Sequence, residues 1–229
     1  MSITVNNLNM YFGKKQVLYD INFEIKNGIY GLMGPNGAGK TTLMRNLVGL
    51  MKAREGSVKI DGKIGYLSQH YDAFKDFTCI EMLDYYATYR KENVDKSYLI
   101  DMLKKVHLES EADKKVKHLS GGMLRRLGIA QALLSNPDVL ILDEPLVGLD
   151  PEERTRIKAV LKEFEKEKIV IISTHIVEDI ENACDQYLIM KKGRIVFFGD
   201  KERLLSMASN MSGESVNTIE EGYLCIVKN

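Results

Sequence analysis

The stretch Gly34-Pro35-Asn36-Gly37-Ala38-Gly39-Lys40-Thr41-Thr42 sets glycines, a lysine and two threonines within nine residues. Glycines at 34, 37 and 39 permit a tight loop whose backbone N–H groups turn inward on an anion, and a helix starting near Lys40 adds its positive end. In the pattern GxxxxGK[ST], Lys40 reaches the β and γ phosphates of a nucleotide and the Thr41 hydroxyl is placed to ligate Mg²⁺. The plainer alternative is a glycine turn, since the pattern arises by chance in about one in a hundred chains of this length. The context favours the phosphate loop. An apolar run, Ile29 to Met33, precedes it, and Leu43, Leu47, Leu50 and Met51 follow at helical spacing, which predicts the strand and helix the motif requires.

Two carboxylates and a histidine stand at the ends of other apolar runs. Asp143 and Glu144 close Val139-Leu140-Ile141-Leu142, and a parallel sheet presents ligand groups where its strands end. Asp143 would hold Mg²⁺ through water, and Glu144 would polarise the water that attacks a γ phosphate. A helix N-cap made by either acid is the alternative. His175 follows Ile169 to Ile172 and the polar pair Ser173-Thr174. Alone it reads as a structural hydrogen-bonding residue; beside the loop and the acids it is a candidate γ-phosphate contact. His70, His107 and His118 read as surface or lobe residues. Cys79, Cys184 and Cys225 lie far apart, without a CxxC pair, and read as free thiols rather than a zinc site or a disulfide framework.

These residues need a scaffold. Alternation in Ser2 to Val5, Ile21 to Ile25 and Val58 to Ile60 predicts strands of a half-exposed antiparallel sheet. From Asp72 to about Lys117 the pattern turns helical, with one face at Ile80, Leu83 and Ala87 and another at Leu99, Met102, Leu103 and Val106. The α/β pattern then resumes. Asp150, Pro151 and Glu153 predict a capped helix start, and Tyr187 to Met190 joins Arg194 to Phe198 as a hairpin. The tail is polar from Ser212 until Tyr223 to Val227, which reads as one edge strand.

The chain has 229 residues, 45% hydrophobic and 28% charged, as in ordinary globular proteins. Lys plus Arg equals Asp plus Glu at 32 each, so no global positive field would draw it to nucleic acid, and none is expected as a partner. No apolar run approaches the roughly 20 residues of a membrane helix. The first twelve residues lack the pattern of a secretory signal, so a cytoplasmic location is expected.

A further stretch narrows the reading. Leu119-Ser120-Gly121-Gly122-Met123, ahead of the helical run Leu124 to Leu134, would make a second anion nest, which one nucleotide does not need from one chain. Here the sequence resembles the ATP-binding subunit of ABC transporters over about residues 2 to 205. Gly34 to Thr42 resembles the Walker A motif, Gln69 the Q-loop glutamine, and Leu119 to Met123 the signature LSGGQ. Val139 to Glu144 resembles Walker B, Gly148 to Pro151 the D-loop, and His175 the switch histidine. Phe12, just before Gly13, matches the aromatic that stacks on adenine, with Tyr11 as fallback.

The resemblance implies an α/β fold with a P-loop NTPase (RecA-like) core and mainly parallel sheet, an N-terminal antiparallel β subdomain and an inserted α-helical lobe. One ABC ATPase domain would span 1–229, with the core at 1–71 and 136–229 and the lobe, carrying the signature, at 72–135. It also implies catalytic roles for Glu144, His175, Gln69 and Lys40, and Mg²⁺ held by Thr41, Gln69 and Asp143. ATP would lie on Gly34, Pro35, Asn36, Gly37, Ala38, Gly39, Lys40, Thr41 and Thr42, and on Ser120, Gly121 and Gly122 of a second ATPase subunit, identical or not, closed head to tail. The permease would be a separate membrane chain, its docking helix near Gln69 and Tyr71 to Tyr89, holding the subunit on the inner face of the cell membrane. Two positions depart from the pattern: Met123 stands for the usual Gln, and Leu146 for the usual Thr or Ser. SGGM with Arg125-Arg126, GIAQALL and GLDPEER resembles exporters of peptides, antibiotics or lantibiotics. The alternative is a soluble ABC ATPase clamping a cytoplasmic partner, as in iron–sulfur cluster assembly.

Overall fold

Residues 1–163, 167–181 and 183–228 are described by the computed structural model. The apolar runs that flank the chemistry form adjacent buried strands: β3 (Gly28–Met33), β6 (Val139–Asp143) and β7 (Ile169–Thr174), in which every residue is buried. Together with β5 (Ile64–Leu67), β8 (Gln186–Lys191) and β9 (Arg194–Gly199) they make a six-stranded sheet of order β5-β6-β7-β3-β8-β9. Every pairing is parallel except the β8–β9 hairpin. Strands buried on both faces read as unbroken apolar runs because each face has its own core. Leu140, Leu142, Val170 and Ile172 belong to one cluster, while Val139, Ile141, Ile169 and Ile171 belong to the other.

The second cluster lies against a three-stranded antiparallel sheet, β2-β1-β4, built from β1 (Ile3–Phe12), β2 (Lys15–Ile25) and β4 (Glu55–Ile60). Helix α1 (Lys40–Leu47) contributes Leu43, Met44 and Leu47 to the same layer. The first cluster takes α2 (Cys79–Tyr89), α3 (Lys96–Lys105), α4 (Gly121–Leu133) and α5 (Pro151–Lys162). Thus α2, α3 and α4 all fall within 72–135, and they share one core with the sheet. Capping follows the sequence signals: Asp150 and Glu153 form a capping box with Pro151 in the first turn, and Thr78 and Glu81 form another.

Two expectations are corrected. Leu50 and Met51 lie beyond α1, because the chain leaves the helix at Gly49 with φ 76° and Leu50 stays exposed. Tyr223 to Val227 is no edge strand but part of α7 (Ile219–Lys228), which packs on α6 (Lys201–Ser212). Its buried residues Ile219, Gly222, Tyr223 and Ile226 recur at the 3.6-residue period, and a reciprocal pair of hydrogen bonds between Thr218 and Glu221 caps its start.

Candidate active site

Strand β3 ends at Met33, and the chain turns at once into the loop that precedes α1. The turn demands glycine. Gly34 has φ 156°, and a Cβ there would collide with the Met190 carbonyl; Gly39, the N-cap of α1, has φ 107°. A cavity of about 260 Å³ opens over the loop, lined by residues Asn36 to Thr42, with Val17 of β2, Gln69 and Glu144. Lys40 is buried, and its Nζ donates to the Gly34 carbonyl at 2.5 Å and the Pro35 carbonyl at 3.3 Å. Burial lowers its pKa, and the charges of Glu144 and Asp143 partly offset this. A buried ammonium bonded, among the described residues, to carbonyl oxygens, in a cavity rimmed by glycine backbone, suits a phosphate.

Across the cavity, β6 delivers Asp143 and Glu144. Asp143 is fully buried; its Oδ1 accepts from the Ser173 hydroxyl at 2.5 Å, while Oδ2 has no hydrogen-bond partner among the described residues. An unpartnered buried carboxylate oxygen fits a cation, so the donor set suits Mg²⁺. Glu144 sits at φ 54°, a backbone that costs a non-glycine residue about 1 kcal/mol. Its amide is tied to Ser173, donating to Oγ at 2.9 Å and to the carbonyl at 3.2 Å. The strained turn aims the carboxylate between two partners. His175 Nδ1 lies 3.0 Å from Oε1, and the Gln69 amide 3.5 Å from Oε2, at the outer limit of a hydrogen bond.

Phe12 and Tyr11 separate by strand alternation. Phe12 pairs with Lys15 on β2, and a register shift between Met10 and Tyr11 falls opposite Val17, a residue of the cavity wall. Phe12 is 49% exposed, whereas Tyr11 carries the Arg54 guanidinium 5.2 Å from its ring centroid. The chain does not bring Ser120, Gly121 and Gly122 to this cavity. Ser120 caps α4, accepting from the Met123 amide at 3.1 Å, and a Cβ on Gly122 would come within 2.9 Å of Glu153 in α5. Met123 packs partly into the core and Leu146 is buried there, so both departures from the family pattern have apolar surroundings.

Sequence reading passed over three supports. Ser173, noted only as a polar residue, holds both acids of β6. Arg126 donates to the Val106 and His107 carbonyls and pairs with Glu153 at 2.9 Å, and Arg154 joins the Leu149 carbonyl to the buried Asp179. Arg126 stood in the sequence only as one of the pair Arg125-Arg126, and Arg154 only as the last residue of GLDPEER.

The ABC transporter family model matches residues 18–147. This chain belongs to that family. Over 206 residues it is 40% identical to an uncharacterized ABC transporter ATP-binding protein of Methanocaldococcus jannaschii, covering 87% of this chain and 78% of that protein. It is 35% identical over 222 residues to the Nod factor export ATP-binding protein I of Burkholderia orbicola, covering 89% and 72%. A sulfate/thiosulfate import ATP-binding protein of Shewanella oneidensis is also 35% identical, over 230 residues, covering 92% and 65%. Among solved structures, an ATP-binding subunit of an ABC transporter matches with TM-score 0.86 at 25% identity, covering 99% of both chains. A dimeric bacterial ABC transporter cassette matches at 0.81 and 25%, covering 86% and 98%. The ABC subunit therefore has a P-loop ATPase fold and is an ATPase, with ATP as substrate and Mg²⁺ as its general partner. Among its described residues no helix is long and apolar enough to cross a membrane.

Proposed function

We propose that this ABC ATPase drives export of a peptide, antibiotic or similar compound through a permease on a separate chain, and that it works as a head-to-tail dimer. The observation that carries the catalytic part is the Glu144 carboxylate held between His175 and Gln69 at the mouth of the phosphate-loop cavity. Lys40 and His175 would contact the γ phosphate, and Glu144 would take the proton of the attacking water. Thr41, Asp143 and Gln69 would hold Mg²⁺, which when bound neutralises charge on the β and γ oxygens. Phe12 would stack on the adenine. Ser120, Gly121 and Gly122, standing apart from the cavity of their own chain, would serve the nucleotide of the partner subunit.

Support for a docked permease comes from the groove beside Gln69, lined by Ser68, Tyr71, Tyr86 and Arg90 among others. Export rests on SGGM with Arg125-Arg126 and on the Nod factor export relative; the sulfate import relative bears a name of the opposite direction. The test is to trap tagged Glu144→Gln protein with ATP in its native cells, solubilise the membranes and identify what co-purifies. A polytopic membrane protein at stoichiometric level is the expected result. A soluble partner alone would replace transport with a cytoplasmic clamp.

A further inference from the structure

Three residues of α4 at intervals of three, Arg125, Gly128 and Gln131, face the segment that carries Gln69. The Arg125 Nη1 donates to the Ser68 carbonyl at 2.8 Å and the Gln69 carbonyl at 3.1 Å, while Nη2 donates to the Asp143 carbonyl. One turn further on, a Cβ on Gly128 would come within 2.6 Å of Leu67 and 3.0 Å of the Tyr71 ring, so only glycine admits this approach. Next, the Tyr71 hydroxyl donates to the Gln131 side chain at 2.7 Å. Arg125 is 8% exposed, and its guanidinium spans two strand ends, those of β5 and β6. A planar fork with several donors can hold three carbonyls at once; an ammonium cannot match that geometry.

We infer that Arg125 is a positioning residue for hydrolysis, fixing the Gln69 backbone against the end of β6 and so setting the approach of the Gln69 amide to Glu144. The inference rests on the proposed roles of Gln69 and Glu144. Because Ser120 caps the same helix, α4 is a rigid connection between the signature end and this contact. Gln131 and Tyr71 also line the groove proposed for the permease, so a load there reaches Gln69 through the same stripe.

The consequence is a selective effect on turnover, since a small misplacement of catalytic groups is costly while nucleotide contacts stay intact. The full-length chain would be compared as wild type, Arg125→Met and Arg125→Lys, each alone and with Gln69→Ala, by phosphate release and by binding of a fluorescent ATP analogue. The expected result is a fall in kcat of about tenfold for Arg125→Met and a smaller fall for Arg125→Lys. Affinity for the analogue should stay within about twofold, and either Arg125 change should cost less than about twofold once Gln69 is Ala. Equal losses in both backgrounds, or loss of affinity in proportion to kcat, would overturn the inference. Should Arg125→Met not fold, Arg125→Lys carries the cycle alone. Glu144→Gln is run in parallel: wild-type turnover in it would overturn the catalytic reading and this inference with it, whereas inactive Glu144→Gln beside unaffected Arg125 variants would remove the inference only.

Discussion

Glu144 joins a strained backbone to a carboxylate whose two oxygens face His175 and Gln69. Its exchange for Gln keeps size and loses the base, so Glu144→Gln should bind ATP normally and lose hydrolysis by about 10²- to 10⁴-fold, read by phosphate release. Ser173→Ala removes a buried hydroxyl that serves Asp143 Oδ1 and the Glu144 amide together. It should destabilise the chain by about 1–3 kcal/mol in urea unfolding and lower kcat, because Asp143 Oδ1 is left unsatisfied and the Glu144 amide keeps only the Ser173 carbonyl. The adenine side has its own check. Phe12→Ala should weaken ATP binding by about 1–3 kcal/mol, the size of one base-aromatic stack, whereas Tyr11→Ala, whose ring already meets Arg54, should change it little.

At the scale of elements, α4 and α7 make opposite points. Helix α4 begins with a capping serine that the proposed mechanism also uses. Ser120→Ala should cost about 1 kcal/mol of stability through the lost cap. Ser120→Arg should leave ATP binding by its own chain intact and abolish hydrolysis in the homodimer; full activity at both sites of a mixed dimer would contradict action in trans. Helix α7 is tested by stability alone. Ile226→Ala, in the buried stripe, should cost about 2–4 kcal/mol, and Leu224→Ala, which is 40% exposed, less than about 0.5 kcal/mol. A strand would have buried residues two apart, and Leu224 with Ile226.

On the scale of the whole molecule, the proposed mechanism makes each nucleotide-binding surface half of a site. The phosphate loop with its acids occupies the strand ends, and the signature lies against the D-loop helix α5, outside that cavity. If both surfaces bind nucleotide as proposed, ATP should bring two chains together. Glu144→Gln should elute as a dimer with ATP and as a monomer without it in size-exclusion chromatography; a monomer under both conditions would contradict the head-to-tail arrangement.

The sequence by itself determined what short-range chemistry controls. Buried parallel strands need unbroken apolar runs, a phosphate loop needs glycines at fixed spacing, and helix starts need particular caps, so β3, β6 and β7 were legible to within about two residues, as were the loop and the start of α5. The tertiary structure alone decided what depends on distant partners. The short apolar run Tyr223 to Val227 suits an edge strand or a helix equally, and packing against α6 selected the helix. Arg125 stood in the sequence only as one of an arginine pair after SGGM, and folding placed three carbonyls from two strand ends around it. The strained backbone of Glu144 is likewise held through its amide by Ser173, 29 residues away along the chain.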